Sequence, residues 1–225
     1  MDWLGLISRF LQWPGILAPA HEMTCPTLLL LDLSALSVCA VTGVLAARGK
    51  GIDLFGISVI AVVSSVGGGT LRDMCLGYVP VFWVQQPYCI ALALLVALLT
   101  FFLNRHKQFS ARAFLYPDAF GLALFTVAGA EKALAGGHGW FVSVLMGVMT
   151  GVFGGMIRDV LCREIPSVLT RTELYATASI AGAVIFVALR GVGVATGMCI
   201  LAGIAVVFLF RILAVRLDIR LPVIA

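Results

Sequence analysis

Shifted against itself by 86 residues, this 225-residue sequence overlays Asp32 on Asp118, Gly43 on Gly129, Gly68-Gly69 on Gly154-Gly155, Arg72-Asp73 on Arg158-Asp159 and Pro80 on Pro166. One offset serves every pair without a gap. The matched positions are charged residues, glycines and prolines in a mainly apolar chain, so chance agreement is a poor explanation and the chain contains an internal duplication. What the two copies build depends on the solvent they sit in.

Composition identifies that solvent. Hydrophobic residues make up 61% of the chain, charged residues 12%, and the mean hydropathy is +1.09. A soluble domain carries about a quarter charged residues. Strand-like alternation is missing, so the chain spans a bilayer as helices, which satisfy their own backbone hydrogen bonds in lipid. Apolar stretches long enough to cross about 30 Å of hydrocarbon run at roughly 28–47, 52–76, 87–104, 114–134, 138–162, 173–190 and 194–213. Each repeat then holds three spans. Three is odd, so the second copy enters the membrane from the opposite side. The expected fold is an all-α integral membrane protein: seven transmembrane helices as two inverted three-helix repeats plus a seventh helix. Its parts are an N-terminal interfacial segment (1–27), a first repeat (28–113), a second (114–193), and the last helix with a short cytoplasmic tail (194–225).

The net charge of +4 is scattered in ones and twos between apolar runs, which reports topology and gives no nucleic-acid surface. Ten Lys and Arg, among them Arg48, Lys50, Arg105, Arg211 and Arg216, fall on one side, against Arg9, Lys132 and Arg190 on the other. That bias puts the C-terminus in the cytoplasm and the N-terminus outside. Ala18-Pro19-Ala20 looks like a signal-peptidase site, but Asp2 and Arg9 oppose a cleaved signal, so residues 2 to 13 read as a short interfacial helix ended by Pro14. The six cysteines form no C-x-x-C pair and no zinc spacing with histidine. His21, His106 and His138 sit in loops or termini and form no cluster, and no catalytic set emerges. The chain does not read as an enzyme, and no cofactor or metal is expected beyond a transported cation.

Two motifs carry the interest: Gly67-Gly68-Gly69-Thr70-Leu71-Arg72-Asp73 in the second span and Gly154-Gly155-Met156-Ile157-Arg158-Asp159 in the fifth. Each interior glycine costs about 1 kcal/mol relative to Ala, so a cluster favours a kink or local unwinding. Irregular backbone at membrane depth belongs where it is buried or lines a watery cavity, as at transporter and channel sites. Close packing is the other reading. Ser143, Gly147, Gly151 and Gly155, and Ala61, Ser65 and Gly69, recur at i+4, the spacing that lets helices approach. The two readings are compatible.

Arg72, Asp73, Arg158 and Asp159 are costly in hydrocarbon, about 2.5–3.5 kcal/mol each at a helix centre, so they should pair, face water or snorkel. A pseudo-two-fold makes Arg72 with Asp159 and Arg158 with Asp73 plausible cross-repeat pairs. An arginine lining a cation path would repel its ion, so the arginines go to structure, gating or lipid contact and coordination to backbone carbonyls. Lys132 faces Ala46 across the repeat offset and reads as a snorkelling, gating or headgroup-binding residue. Asp118 follows Pro117 and reads as an N-cap. Asp32, about one turn inside its helix, fits a polar path better.

With GGGTLRDM in the first repeat, GGMIRDVL in the second, and LDLSALSVCAVTG and PDAFGLALFTVAGAEKAL opening them, residues 28 to 213 resemble the prokaryotic branch of the trimeric intracellular cation (TRIC) channel family. The resemblance implies a homotrimer in a bacterial inner membrane. Each subunit would carry a pore between its repeats for monovalent cations, K⁺ chiefly and Na⁺ besides. By motif position Gly67, Gly68, Gly69, Gly154 and Gly155 would bend the pore helices, and Lys132 matches the family's fourth-helix lysine. Phe153 leaves only two glycines in the second copy. Prokaryotic members have also been described as glycine transporters, so a secondary transporter of a small solute is the alternative. Membrane lipid is the other expected partner, including a bound phospholipid.

Overall fold

The computed structural model describes residues 26–104, 111–169, 174–217 and 219. The interfacial helix expected over residues 2–13, and His21 and His106, lie outside the described residues. Among those described, the chain is all helical: α1 (Pro26–Ala47), α2 (Leu54–Cys75), the short α3 (Phe82–Gln85), α4 (Tyr88–Asn104), α5 (Ala111–Ala135), α6 (Trp140–Leu161), a 3-10 turn (Ser167–Leu169), α7 (Tyr175–Gly191) and α8 (Thr196–Arg216).

Local chemistry sets the ends. Asp53 caps α2 by accepting the Gly56 amide at 2.8 Å. At the far end Gly77, with φ of 73°, turns the chain out of the helix and donates to the Met74 carbonyl at 3.2 Å. The equivalent place after α6 holds Arg163 at φ 58°, a left-handed conformation costing a side chain about 1–2 kcal/mol.

By length and composition, Leu28–Ala47, Leu54–Cys75, Trp140–Leu161 and Thr196–Arg216 are able to cross a membrane. The apolar α4 and α7 have 17 residues each, and the 25-residue α5 carries Asp118, Glu131 and Lys132. Large side chains such as Phe55, Leu103, Trp140 and Leu201 point outward while Ala35, Ala40, Ala61, Ala123, Ala128 and Ala183 are fully buried. Small residues inside and large ones outside suit helices packed in lipid, where close backbone approach drives association.

Packing follows the duplication. Helix α1 packs on α2 and α4, and α2 on α4; in the second half α5 packs on α6 and α7, and α6 on α7. The halves meet through α1 against α5 and α2 against α6, each helix on its own copy, as a two-fold relation requires. Helix α8 has no counterpart and packs on α5 and α7.

Candidate functional site

Glycine makes the central crossing. A Cβ on Gly154 would stand 2.5 Å from the Ser64 carbonyl oxygen, and one on Gly68 would strike the carbonyl oxygen of Thr150. Backbone therefore lies on backbone, and no side chain fits between. Along these contacts residue numbers rise in α2 as they fall in α6, so the two helices are antiparallel. The neighbouring glycines look elsewhere: Gly67 toward Ile157 of α6, Gly69 toward the Phe82 ring and Gly155 toward the Tyr175 hydroxyl. The i+4 stripe of α6 serves α5, because a Cβ on Gly147 would come within 2.7 Å of the Thr126 carbonyl oxygen and one on Gly151 within 2.5 Å of the Thr126 hydroxyl. Ser65 in the matching stripe of α2 donates to the Leu36 carbonyl of α1 at 3.0 Å.

Local unwinding, which adjacent glycines predict, does not occur: α2 and α6 are unbroken α-helix through their motifs. Packing against a neighbouring backbone restrains glycines that would fray a solvated helix.

A charge cluster stands at each end of the crossing. In the first, Arg72 Nε donates to Asp73 Oδ1 at 2.8 Å and Arg72 Nη1 lies 3.7 Å from Asp32 Oδ1. Lys132 of α5 donates to both Asp73 oxygens, at 2.9 and 3.1 Å, and the Phe82 amide donates to Asp73 Oδ2 at 2.9 Å. The Phe82 ring lies 5.7 Å from the Arg72 guanidinium and 5.9 Å from the Lys132 ammonium, and Tyr78 lies 5.6 Å from that ammonium, distances at which a ring face attracts a cation. Arg72 is fully buried, and Nη1 and Nη2 make no hydrogen bond among the described residues.

The second cluster is tighter. Arg158 Nη1 donates to Asp118 at 2.7 Å, and Nε and Nη2 donate to Asp159 at 3.0 and 2.8 Å. Ser167 holds the other Asp159 oxygen through its amide at 2.9 Å and its hydroxyl at 3.0 Å. Arg211 of α8 brings the second cation, 3.9 Å from Asp118. Each cluster joins two cations to two carboxylates, so its formal charge is zero. That balance is how a buried ion group avoids the cost of an uncompensated charge.

A family model described as Glycine transporter matches the chain twice, over residues 29–105 and 115–191, which begin the same 86 residues apart. The UPF0126 inner membrane protein YadS of Escherichia coli strain K12 is 43% identical over 197 residues, covering 87% of this chain and 95% of that protein. The solved structure of a TRIC trimeric intracellular cation channel orthologue from Rhodobacter sphaeroides matches with a TM-score of 0.81 at 43% identity, covering 85% of this chain and 98% of that one. A second structure, solved to explain conductance through TRIC cation channels, matches with a TM-score of 0.78 at 30% identity over 87% of this chain and 96% of its own. The chain belongs to the TRIC family. It is a multi-pass inner membrane protein and not an enzyme.

In this TRIC chain the expected cross-repeat pairs, Arg72 with Asp159 and Arg158 with Asp73, do not form. The antiparallel crossing explains why. Both motifs lie about six residues beyond its midpoint but in opposite directions, about 18 Å apart at 1.5 Å per residue. Each arginine instead binds the aspartate beside it and faces the first-helix aspartate of its own repeat. Lys132, read as a snorkelling, gating or headgroup residue, makes the cross-repeat bond to Asp73. Asp118 is no N-cap, because α5 begins at Ala111 and carries it, buried, to Arg158.

Arg211, counted above among the residues marking the cytoplasmic side, is 1% exposed and belongs to the TRIC core. A charge late in the seventh apolar stretch, with no match at the repeat offset, was the signal for it. Phe82 and Ser167, whose amides hold the motif aspartates, carried none.

Proposed function

We propose that this chain is a passive cation channel, a homotrimer with a pore inside each subunit between two inverted three-helix repeats, conducting K⁺ and, less readily, Na⁺. The observation that carries the reading is the 0.81 TM-score likeness to a TRIC cation channel orthologue over nearly all of that chain. Site chemistry supports it. Paired carboxylates cancel each arginine's repulsion of a cation, and the glycine crossing, packed backbone on backbone, fixes how the two repeats beside the path meet. Gly67, Gly68, Gly69, Gly154 and Gly155 thereby set the course of the two pore helices; Arg72, Asp73, Lys132, Asp32, Arg158 and Asp159 set whether the ends of the path are open.

All seven long helices cross the bilayer in this reading, including the 17-residue pair and α5, whose charges are met inside the protein. The segments are those drawn from the repeat, with the N-terminus outside and the C-terminus in the cytoplasm. Bound phospholipid completes the assembly. Secondary transport of glycine is the second reading, favoured by the description of the matching family model.

Single-protein recording in a planar bilayer under K⁺ and Na⁺ gradients, repeated with glycine, tests both. Unitary currents reversing near the K⁺ potential and indifferent to glycine are expected. Saturable glycine uptake without unitary currents would replace the channel by the transporter.

A further inference from the structure

Helix α8 breaks the symmetry of the bundle and leaves a groove beside it. Tyr116, Pro117 and Phe120 of α5 line it together with Val38 of α1 and Ile204 and Phe208 of α8, enclosing about 680 Å³. Phe120 and Phe208 meet edge to face at 6.0 Å. The groove's lining is apolar, and its rim is charged: Arg216, exposed on the last turn of α8, donates to the Tyr116 hydroxyl at 3.2 Å. Helical side chains lean toward their own N-terminus, so this guanidinium reaches back over the groove mouth. No carboxylate among the described residues pairs with it.

The dimensions are those of one leaflet. From Arg216 back to Leu201, the deepest lining residue of α8 along the helix, is about 22 Å at 1.5 Å per residue. Half a hydrocarbon core is about 15 Å, to which the headgroup region adds several more. A second copy of the chain would have to bring a carboxylate to the same rim. The exposed carboxylates among the described residues, Asp53 and Glu164, are already engaged in capping α2 and in pairing Lys50.

We propose that this groove holds an acyl chain of an anionic phospholipid from the leaflet on the Arg216 side, with the lipid phosphate on the Arg216 guanidinium. The guanidinium fork suits a phosphate, and the apolar trough suits methylenes. The site is separate from both charge clusters and does not depend on whether the protein is a channel or a transporter.

Delipidated protein titrated with dioleoylphosphatidylglycerol or dioleoylphosphatidylcholine, with bound lipid counted by native mass spectrometry, tests it. The wild type is expected to bind phosphatidylglycerol about fivefold more tightly, the share of one basic residue at a membrane surface. Arg216→Gln should remove the preference and leave phosphatidylcholine binding unchanged, while Ala205→Trp, which fills the groove, should lose both. Equal binding of the two lipids by the wild type overturns the proposal. So does an Ala205→Trp protein that keeps its lipid but loses its oligomer, which would assign the groove to a second copy. Neither result touches the conductance reading.

Discussion

Arg72 and Arg158 occupy the same place in the two halves, yet Arg158 meets its first-helix aspartate at 2.7 Å and Arg72 meets its own at 3.7 Å. All three Arg158 nitrogens make hydrogen bonds, whereas Arg72 leaves Nη1 and Nη2 without one among the described residues. The duplicated core gives both clusters the same arginine and two aspartates. Only the fourth charge differs: Lys132 from the opposite repeat in one, Arg211 from α8 in the other. A duplication thus fixes what its own copies contain and leaves the rest to be set from outside. The Arg158 cluster is therefore the more tightly tied of the two, and the Arg72 cluster the looser.

The largest effect should come from removing the carboxylate of the tighter cluster. Breaking a buried pair costs about 3–5 kcal/mol because it strands the partner charge. Asp118→Asn is expected to fall in that range. Asp32→Asn should cost less than half as much, since Arg72 has no hydrogen bond to lose there. Unfolding midpoints of the two variants in one detergent decide it; equal losses would mean that the clusters are equivalent despite their geometry.

Next come the glycines at the crossing, where the two halves should behave alike. Gly68→Ala and Gly154→Ala each drive a methyl into a backbone carbonyl, an overpacking worth about 1–3 kcal/mol. Gly67→Ala meets only the Cδ1 end of Ile157, which is free to turn away, and gains up to about 1 kcal/mol of helix propensity. The first two variants should lower the unfolding midpoint and the third leave it level or higher. Should all three retain wild-type stability, the crossing would not rest on close packing.

Much of this architecture was legible in advance. Periodic glycines, the 86-residue offset and the lengths of the apolar stretches put the long helices within about three residues of their observed ends. The pairing of charges was not legible, because an offset says which residues are equivalent and not which are near. Under inversion, equivalent residues on crossing helices move apart as they leave the axis, and that is why Arg72 never reaches Asp159. Asp118 misled for a local reason. Proline is welcome in the first turn of a helix, so Pro117 looked like a beginning, yet α5 runs through it. Arg211 was hidden by a counting rule that treats every arginine near a helix end as a topology marker.

The smallest effect separates the contacts that tie the halves together. Lys132 to Asp73 is such a tie, with a fully buried carboxylate and a side-chain ammonium only 15% exposed. Lys50 to Glu164 is another, joining the turn after α1 to the segment after α6, but its glutamate is 60% exposed. The repeat offset gives the second tie a counterpart of different chemistry, since Lys50 corresponds to Gly136 and Glu164 to Tyr78, whose hydroxyl lies against that glycine. Residues in direct contact inside a network couple by about 0.5–3 kcal/mol, and exposed ion pairs by about 0.2–1 kcal/mol. Double-mutant cycles with Lys132→Met and Asp73→Asn should therefore give the upper part of the first range. Cycles with Lys50→Met and Glu164→Gln should stay below about 1 kcal/mol, and raising the salt should shrink that coupling because a surface pair is screened within a Debye length of about 8–10 Å. The Lys50 ammonium also donates to the Cys162 carbonyl at 3.1 Å, a bond Glu164→Gln leaves in place, so Lys50→Met should cost more than its partner's change. A salt-insensitive Lys50–Glu164 coupling as large as that of Lys132–Asp73 would mean that the pair is shielded from solvent in the assembled protein.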